Sequence, residues 1–100
     1  MTGEYQIRDA TPDDAAIIAH HRGAMFHHIG SFDEAAATEV TEACLPRLSE
    51  MMTRGEYLGW LVLFDDRVVA GGGMILRNLL PRPHALQGGR EALIVNVYTE

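Results

Sequence analysis

The stretch YLGWLVLFDDRVVAGGGMIL, residues 57–76, predicts a β-hairpin. Residues 57–64 are rich in aromatic and branched apolar side chains, and a second apolar run covers residues 67–76. Asp65 and Asp66 lie between the two runs and are typical of a tight turn. Two apolar runs joined by so short a turn are expected to pair as antiparallel strands.

Three consecutive glycines, Gly71, Gly72 and Gly73, interrupt the second strand of this hairpin. A phosphate-binding loop would need a helix start and a Lys-Ser/Thr pair after the glycines, and neither follows. Glycine inside a strand more often marks a β-bulge or a close backbone approach. We therefore expect a bulge or a close contact at this position.

Two helices are predicted before the hairpin. A short strand with alternating apolar residues is predicted at residues 4–8. Thr11 and Asp14 then form a near capping box, so the first helix should run over 12–29 and stop at Gly30. The second helix is expected to start in a capping box at Ser31 and to end at residue 55. Pro46 lies inside its apolar stripe and predicts a kink or break between residues 43 and 47.

The rest of the chain predicts a loop over residues 77–90 and an apolar last strand over 92–98. The element order is then β-α-α-β-β-β. This order indicates an α+β (α/β) fold with a mixed, mainly antiparallel sheet and two helices. Apolar residues along the whole last strand imply burial on both of its faces.

Composition excludes several classes of function. The chain has 100 residues and a formal net charge of −6, and all eight basic residues are arginines, so no basic face for nucleic acid is visible. No apolar run approaches the roughly 20 residues that span a bilayer, and the N-terminus is no signal peptide. We expect no nucleic-acid or membrane partner and a cytoplasmic location. The single cysteine, Cys44, sits on an apolar stripe and is expected to be an inert thiol.

Histidines occur in two pairs, His20-His21 and His27-His28. The aligned members are seven residues apart, which is roughly 10 Å along a helix, so they cannot share one ion. Histidines that are solvated or line a site are therefore favoured over a metal centre, and no metal site is predicted. The nine acidic residues of the first half are read either as solvated helix faces or as a field that attracts a cationic amine.

Three segments carry a resemblance to a known family. Residues 5–14, YQIRDATPDD, resemble the opening strand and helix of the GNAT superfamily of N-acetyltransferases, which reads IR-x-A-T-x-x-D. Residues 62–72 resemble its second and third strands, and residues 94–100 resemble its fourth strand. The family's glycine-rich Q/R-x-x-G-x-G/A loop, which holds the pyrophosphate of coenzyme A, would begin just beyond Glu100. The resemblance therefore implies that residues 1–100 are the N-terminal portion of a single GNAT domain.

The resemblance also implies an activity and a site. The parent domain would transfer an acetyl group from acetyl-CoA to a primary amine, either a small molecule or a protein amine. Its fourth strand would bind the cofactor through Val97, Tyr98 and Thr99, and Glu91 is the candidate general base. The implied substrate-binding residues are Met25, Phe26, His27, His28 and Asn96.

We expect this chain alone to bind acetyl-CoA weakly or not at all and to be inactive, since the pyrophosphate loop is missing. The alternative hypothesis is a non-catalytic GNAT-derived fragment that acts through self-association or partner binding. An open edge of the last strand predicts a symmetric homodimer joined there. Residues 77–90 could instead fold back and cover that edge. The reading frame after Glu100 discriminates the hypotheses, because a glycine-rich loop there favours the enzyme.

Overall fold

The computed structural model describes residues 3–30 and 32–100. Strand β1 covers Tyr5–Asp9, and a 3₁₀ turn at Pro12–Asp14 leads into helix α1, Ala15–His28. Helix α2 covers Glu34–Thr53. The remaining strands are β2 at Tyr57–Phe64, β3 at Arg67–Leu79 and β4 at Gly89–Thr99. The predicted order β-α-α-β-β-β and the α+β class are confirmed.

The four strands form one sheet in the order β1-β2-β3-β4, and every neighbouring pair is antiparallel. Alternate side chains of β2, represented by Tyr57 and Leu61, are buried against the two helices. The opposite face carries no helix among the described residues. It leaves large apolar side chains exposed, namely Tyr5, Ile7, Leu58 and Ile94.

Strands β3 and β4 are longer than the sequence predicted. The expected loop over 77–90 is confirmed only for residues 80–88, because β3 continues to Leu79 and β4 already begins at Gly89. Arg77 lies opposite Glu91, and its Nη2 is 2.8 Å from the Glu91 Oε1. Polar residues at the exposed end of a hairpin extend the ladder without an apolar pattern. The prolines and glycines mark only the connection between the strands, where Arg82 bridges to Ala85.

The start of α1 follows the predicted near capping box. The Asp14 carboxylate accepts the Thr11 backbone N–H at 2.8 Å and a bidentate pair from Arg8 at 2.8 and 2.9 Å. These bonds lower the pKa of Asp14 to about 2, chiefly through Arg8. At the other end of the helix, Gly30 has a φ of 85°, which confirms the predicted glycine stop.

Helix α2 differs from prediction at its start and at its proline. Asp33 caps it by accepting the Ala36 N–H at 2.8 Å, and Ser31, the predicted cap, lies outside the described residues. The helix continues through Pro46 from Glu34 to Thr53, so of the predicted kink or break the break is wrong, while the kink stays a prediction. Pro46 is exposed, and the carbonyl of Glu42 that lacks its amide partner therefore faces solvent rather than the core.

The core lies between the helices and the sheet. It is built from buried side chains of α1, α2 and β2, namely Ala15, Ile18, Ala19, Leu48, Tyr57 and Leu61. Leu61 is fully buried at the centre of β2. No described helix is long and apolar enough to cross a membrane.

Candidate functional site

Strand β4 is interrupted by a β-bulge opposite the triple glycine. Gly71 pairs with Tyr98 and Gly73 pairs with Val95, so Asn96 and Val97 together face one residue of β3. The backbone of Asn96 is left-handed, with a φ of 56°. The bulge predicted from the glycines is confirmed, and its extra residue is on the partner strand. Such a bulge re-aims the side chains around it.

Asn96 is buried in the bulge, with 6% of its surface exposed, and links three elements. Its Oδ1 accepts a hydrogen bond of 2.9 Å from Nη1 of Arg22 on α1. Its Nδ2 donates to the Tyr57 hydroxyl on β2 at 3.0 Å. The side chain thereby holds the helix and two strands in a fixed relation at the interruption of β4.

The glycines opposite the bulge accept close neighbours, as the sequence predicted. The Tyr57 ring lies directly over Gly73, where a Cβ atom would overlap it. The Trp60 indole covers Gly72 at 3.3–3.4 Å from the position of a Cβ. Tyr57 reaches Asn96 across this bare backbone, so the triple glycine makes the contact possible.

Two adjoining cavities open beside Asn96. A shallow hollow of about 410 Å³ lies between α1 and β4, and its lining residues are Arg22, Met25, Phe26, Ile94, Val95, Asn96 and Val97. A cavity of about 180 Å³ lies further under the helices, lined by Arg22, Cys44, Arg47, Leu48, Met51, Tyr57, Ile75 and Asn96. Arg22 and Asn96 belong to both, so they form the boundary between the two spaces.

The structure brings four of the predicted site residues together in the hollow: Met25, Phe26, Asn96 and Val97. Two more meet beside it, since the rings of His28 and Tyr98 are 5.8 Å apart. Thr99 lies at the exposed end of β4. His27 is not part of this group. It lines a separate cleft between α1 and α2, and its Nδ1 is 3.1 Å from the Phe32 carbonyl oxygen.

Glu91 lies away from the hollow. It is in an ion pair with Arg77 near the start of β4, with half of its side chain exposed. Asn96 is five positions further along the chain, which is about 17 Å along an extended strand. The geometry therefore gives Glu91 no contact with the bulge.

His21 is a buried residue that the sequence analysis grouped with solvated or site-lining histidines. It is 1% exposed, and its ring lies 5.1 Å from that of Tyr98. Its Nε2 has no hydrogen-bond partner among the described residues and is 3.7 Å from the Glu100 carboxylate. Burial lowers the pKa of His21; the Glu100 carboxylate opposes this shift and His20 adds to it. The ring is therefore held neutral beneath β4.

Arg22 and Tyr57 were not recognised as site residues from the sequence. Arg22 is four positions after Ile18 and three before Met25, so it occupies the core-facing stripe of α1. A charged residue on that stripe is the signal that could have found it. Tyr57 gave no comparable signal, because an aromatic residue is ordinary in a strand.

The neutral groups around Asn96 keep their protons. Burial raises the pKa of the Tyr57 hydroxyl, and the hydrogen bond from Asn96 lowers it by less. Burial also raises the pKa of the Cys44 thiol, which agrees with the inert cysteine expected from the sequence. In the part of the chain that the structure describes, no three His, Cys, Asp or Glu side chains converge as metal ligands.

Solved structures identify the fold. The chain is similar to a GCN5-related N-acetyltransferase from Ralstonia eutropha JMP134, with a TM-score of 0.80, 23% identity, and coverage of 97% of this chain and 63% of that one. It is also similar to a predicted acetyltransferase with acetyl-CoA from Clostridium acetobutylicum, with a TM-score of 0.76, 17% identity and coverage of 97% and 60%. A third similar structure is glucosamine-6-phosphate N-acetyltransferase from Arabidopsis thaliana. Its TM-score is 0.57 and its identity 14%, and the match covers 97% of this chain and 60% of that one.

These likenesses confirm the GNAT fold over nearly the whole chain. The chain spans about three fifths of the length of the acetyltransferases that it matches. The sequence itself matches no protein-family model and no curated protein significantly.

Proposed function

We propose that these residues are the N-terminal portion of a single GNAT domain, and that the complete domain transfers an acetyl group from acetyl-CoA to a primary amine in the cytoplasm. The observation that carries the proposal is the interrupted edge strand β4, placed beside a hollow in a chain with the acetyltransferase fold. The exposed apolar face of the sheet supports a longer domain, because large apolar patches on a domain mark a surface that packs against something.

The outer edge of β4 suits the extended arm of acetyl-CoA. Strand β4 is the last strand of the sheet, so one row of its backbone N–H and C=O groups has no strand partner among the described residues. An extended molecule with amide groups can add to such an edge as a strand does. We assign this contact to Val97, Tyr98 and Thr99, which follow the bulge.

The acceptor amine would enter the hollow from the side of α1. Met25 and Phe26 offer apolar surface there, Asn96 lines the same hollow, and His28 lies beside it next to Tyr98. A free amine has a pKa near 10 and must lose a proton before its nitrogen attacks the thioester carbonyl. A backbone N–H of β4 would then stabilise the oxyanion until the thiolate leaves. The distance between Glu91 and the bulge does not support Glu91 as the general base.

Calorimetry with acetyl-CoA and a thiol-release assay with a panel of amines test this proposal. The 100-residue chain should bind acetyl-CoA weakly or not at all. The chain extended along its own reading frame should bind in the micromolar range and release coenzyme A only when an amine is present. An extended frame that encodes no glycine-rich loop, or an extended protein without acetyl-CoA binding, contradicts the proposal. Micromolar binding by the 100-residue chain contradicts the need for a pyrophosphate loop outside these residues.

A second candidate function is self-association through β4. The apolar residues Leu93, Ile94 and Val97 are 56%, 59% and 65% exposed on this edge strand, contrary to the burial that the sequence implied. Residues 80–88 connect β3 to β4 and leave these side chains uncovered. A second copy could pair with the edge and form a symmetric dimer.

Light scattering distinguishes the dimer from the 11.0 kDa monomer. Ile94→Lys should raise the dissociation constant of the dimer at least tenfold. Ile7→Lys is the matched control, since Ile7 is exposed on β1 at the far edge of the same sheet. A monomeric chain at micromolar concentration, or an equal effect of both substitutions, would count against self-association at β4.

A further inference from the structure

Arg22 carries a positive charge that is not paired with a carboxylate among the described residues. The residue is half-buried, its guanidinium lies 5.3 Å above the centroid of the Phe26 ring, and its Nη1 donates one hydrogen bond to the neutral Asn96. No acidic side chain of residues 3–30 and 32–100 lies within 4.0 Å of it. An arginine has five N–H donors, so most of the donors of Arg22 are left for another partner.

The cavity beside Arg22 is bordered by a second arginine, the exposed Arg47, and by no acidic residue among those that the structure describes. Arg47 of α2 lines it together with Arg22, and every other lining residue is neutral. The Tyr57 hydroxyl accepts its bond from Asn96 and keeps its own proton to donate. Two arginines and a hydroxyl donor thus border one space in a chain whose net charge is −6.

A partly buried cation without a carboxylate is costly unless it meets an anion. The planar guanidinium fork matches carboxylates and phosphates in a bidentate arrangement. The cavity volume of about 180 Å³ is several times the roughly 30 Å³ that one water molecule occupies in the liquid. A carboxylate or phosphate group therefore fits.

We propose that Arg22, assisted by Arg47, is a specificity-determining site for an anionic group carried by the acceptor amine. This inference rests on the proposed acetyl transfer, and it names the acceptor class as an amine that also bears a carboxylate or phosphate. The hollow lined by Met25 and Val97 would then hold the part of the acceptor that leads toward β4.

Titration of the ¹⁵N-labelled 100-residue chain, without acetyl-CoA and at constant ionic strength, tests the site directly. Inorganic phosphate should shift the side-chain Nε–H signal of Arg22 and the amide signals of Asn96, with saturation in the millimolar range. Phosphoethanolamine should bind at least as well as phosphate, whereas ethanolamine should leave these signals unchanged. Equal binding of ethanolamine and phosphoethanolamine, or no shift with phosphate, would overturn the proposal.

Three variants locate the effect. Arg22→Gln should weaken phosphate binding about tenfold or more, since a charged bidentate partner is lost. Arg22→Lys keeps the charge without the fork and should give an intermediate loss, which serves as the test if the glutamine variant does not fold. Arg67→Gln is the matched control, because Arg67 is exposed at the β2–β3 turn and has no ion pair among the described residues. Equal losses in the Arg22 and Arg67 variants refute the site.

The source of the anion is settled by the extended protein. If an acidic side chain from the rest of the domain fills the cavity, phosphate will no longer shift the Nε–H signal of Arg22 in the extended chain. The substrate assignment is then wrong. If the anion belongs to the acceptor, phosphate binding persists there and competes with the acceptor amine. Because the titration contains no acetyl-CoA, absence of acetyl transfer would contradict the proposed function and leave the anion site standing.

Discussion

Replacing Asn96 with alanine removes the link between α1, β2 and β4 and should destabilise the chain by about 3 kcal/mol. Loss of the bond to the buried Tyr57 hydroxyl costs about 1 kcal/mol, and loss of the bond from the charged Arg22 costs about 1 kcal/mol after access of water is allowed for. Alanine at a φ of 56° adds about 1 kcal/mol, because the short polar side chain of asparagine makes the left-handed region less costly for asparagine than for alanine.

The glycine variant separates these contributions. Asn96→Gly loses both hydrogen bonds but has no Cβ, so it should be about 1 kcal/mol more stable than Asn96→Ala. A double-mutant cycle with Tyr57→Phe should give a coupling energy of about 1 kcal/mol for the Asn96–Tyr57 bond. This order of stability, wild type above glycine above alanine, is specific to a left-handed residue with two side-chain bonds.

Urea unfolding at pH 7, followed by the fluorescence of the single tryptophan, Trp60, measures these differences. The reasoning is refuted if Asn96→Ala lies within 0.5 kcal/mol of the wild type. It is also refuted if Asn96→Gly is less stable than Asn96→Ala, because the left-handed backbone would then contribute nothing.

Three further perturbations follow from the contacts described above. Asp14→Asn should lower the free energy of unfolding in urea at pH 7 by about 1–2 kcal/mol. Because Arg8 lowers the pKa of Asp14 from 3.8 to about 2, the charged pair is lost, and the difference from the wild type should vanish, as the pH falls from about 4 toward 2. Burial lowers the His21 pKa below its ordinary 6.5, so the unfolded chain binds the proton more readily and stability falls as the pH drops below about 6.5. His21→Gln should therefore flatten the dependence of unfolding free energy on pH between pH 7.5 and 5.5. An unchanged dependence contradicts the assignment. Gly73→Ala places a Cβ in the Tyr57 ring and should cost about 1–3 kcal/mol in thermal unfolding, whereas an unchanged melting temperature would show that the ring moves freely.

Local patterns predicted most of the secondary structure. The bounds of β2 were predicted to the residue, and the end of α1 followed from Gly30. These elements depend on nearby side chains and on turn or cap residues, which the sequence displays directly. The hairpin formed by β3 and β4 was underestimated because Arg77 and Glu91 carry no apolar signal, although they pair across the ladder.

The centre of the candidate site was harder to predict. Asn96 was nominated through a resemblance, but its left-handed backbone arises from a register shift between two strands. Its bond to Arg22 joins residues 74 positions apart, and no local pattern reports such a contact. The three consecutive glycines predicted a bulge or a close backbone approach, while tertiary packing determined which strand supplied the additional residue.

The connectivity of the sheet sets the order in which its strands can be gained and lost. Strands β2, β3 and β4 follow one another through connections of two and nine residues, so their pairing closes small loops. Strand β1 must pair with β2 across a loop that contains both helices, and the entropy lost in closing that loop is larger. Its side chains Tyr5 and Ile7 are 73% and 72% exposed, so little apolar burial offsets this loss. We expect β1 to detach before the meander opens, with the fastest amide hydrogen exchange of the four strands; equal protection of β1 and β2 would show instead that the sheet opens as one cooperative unit.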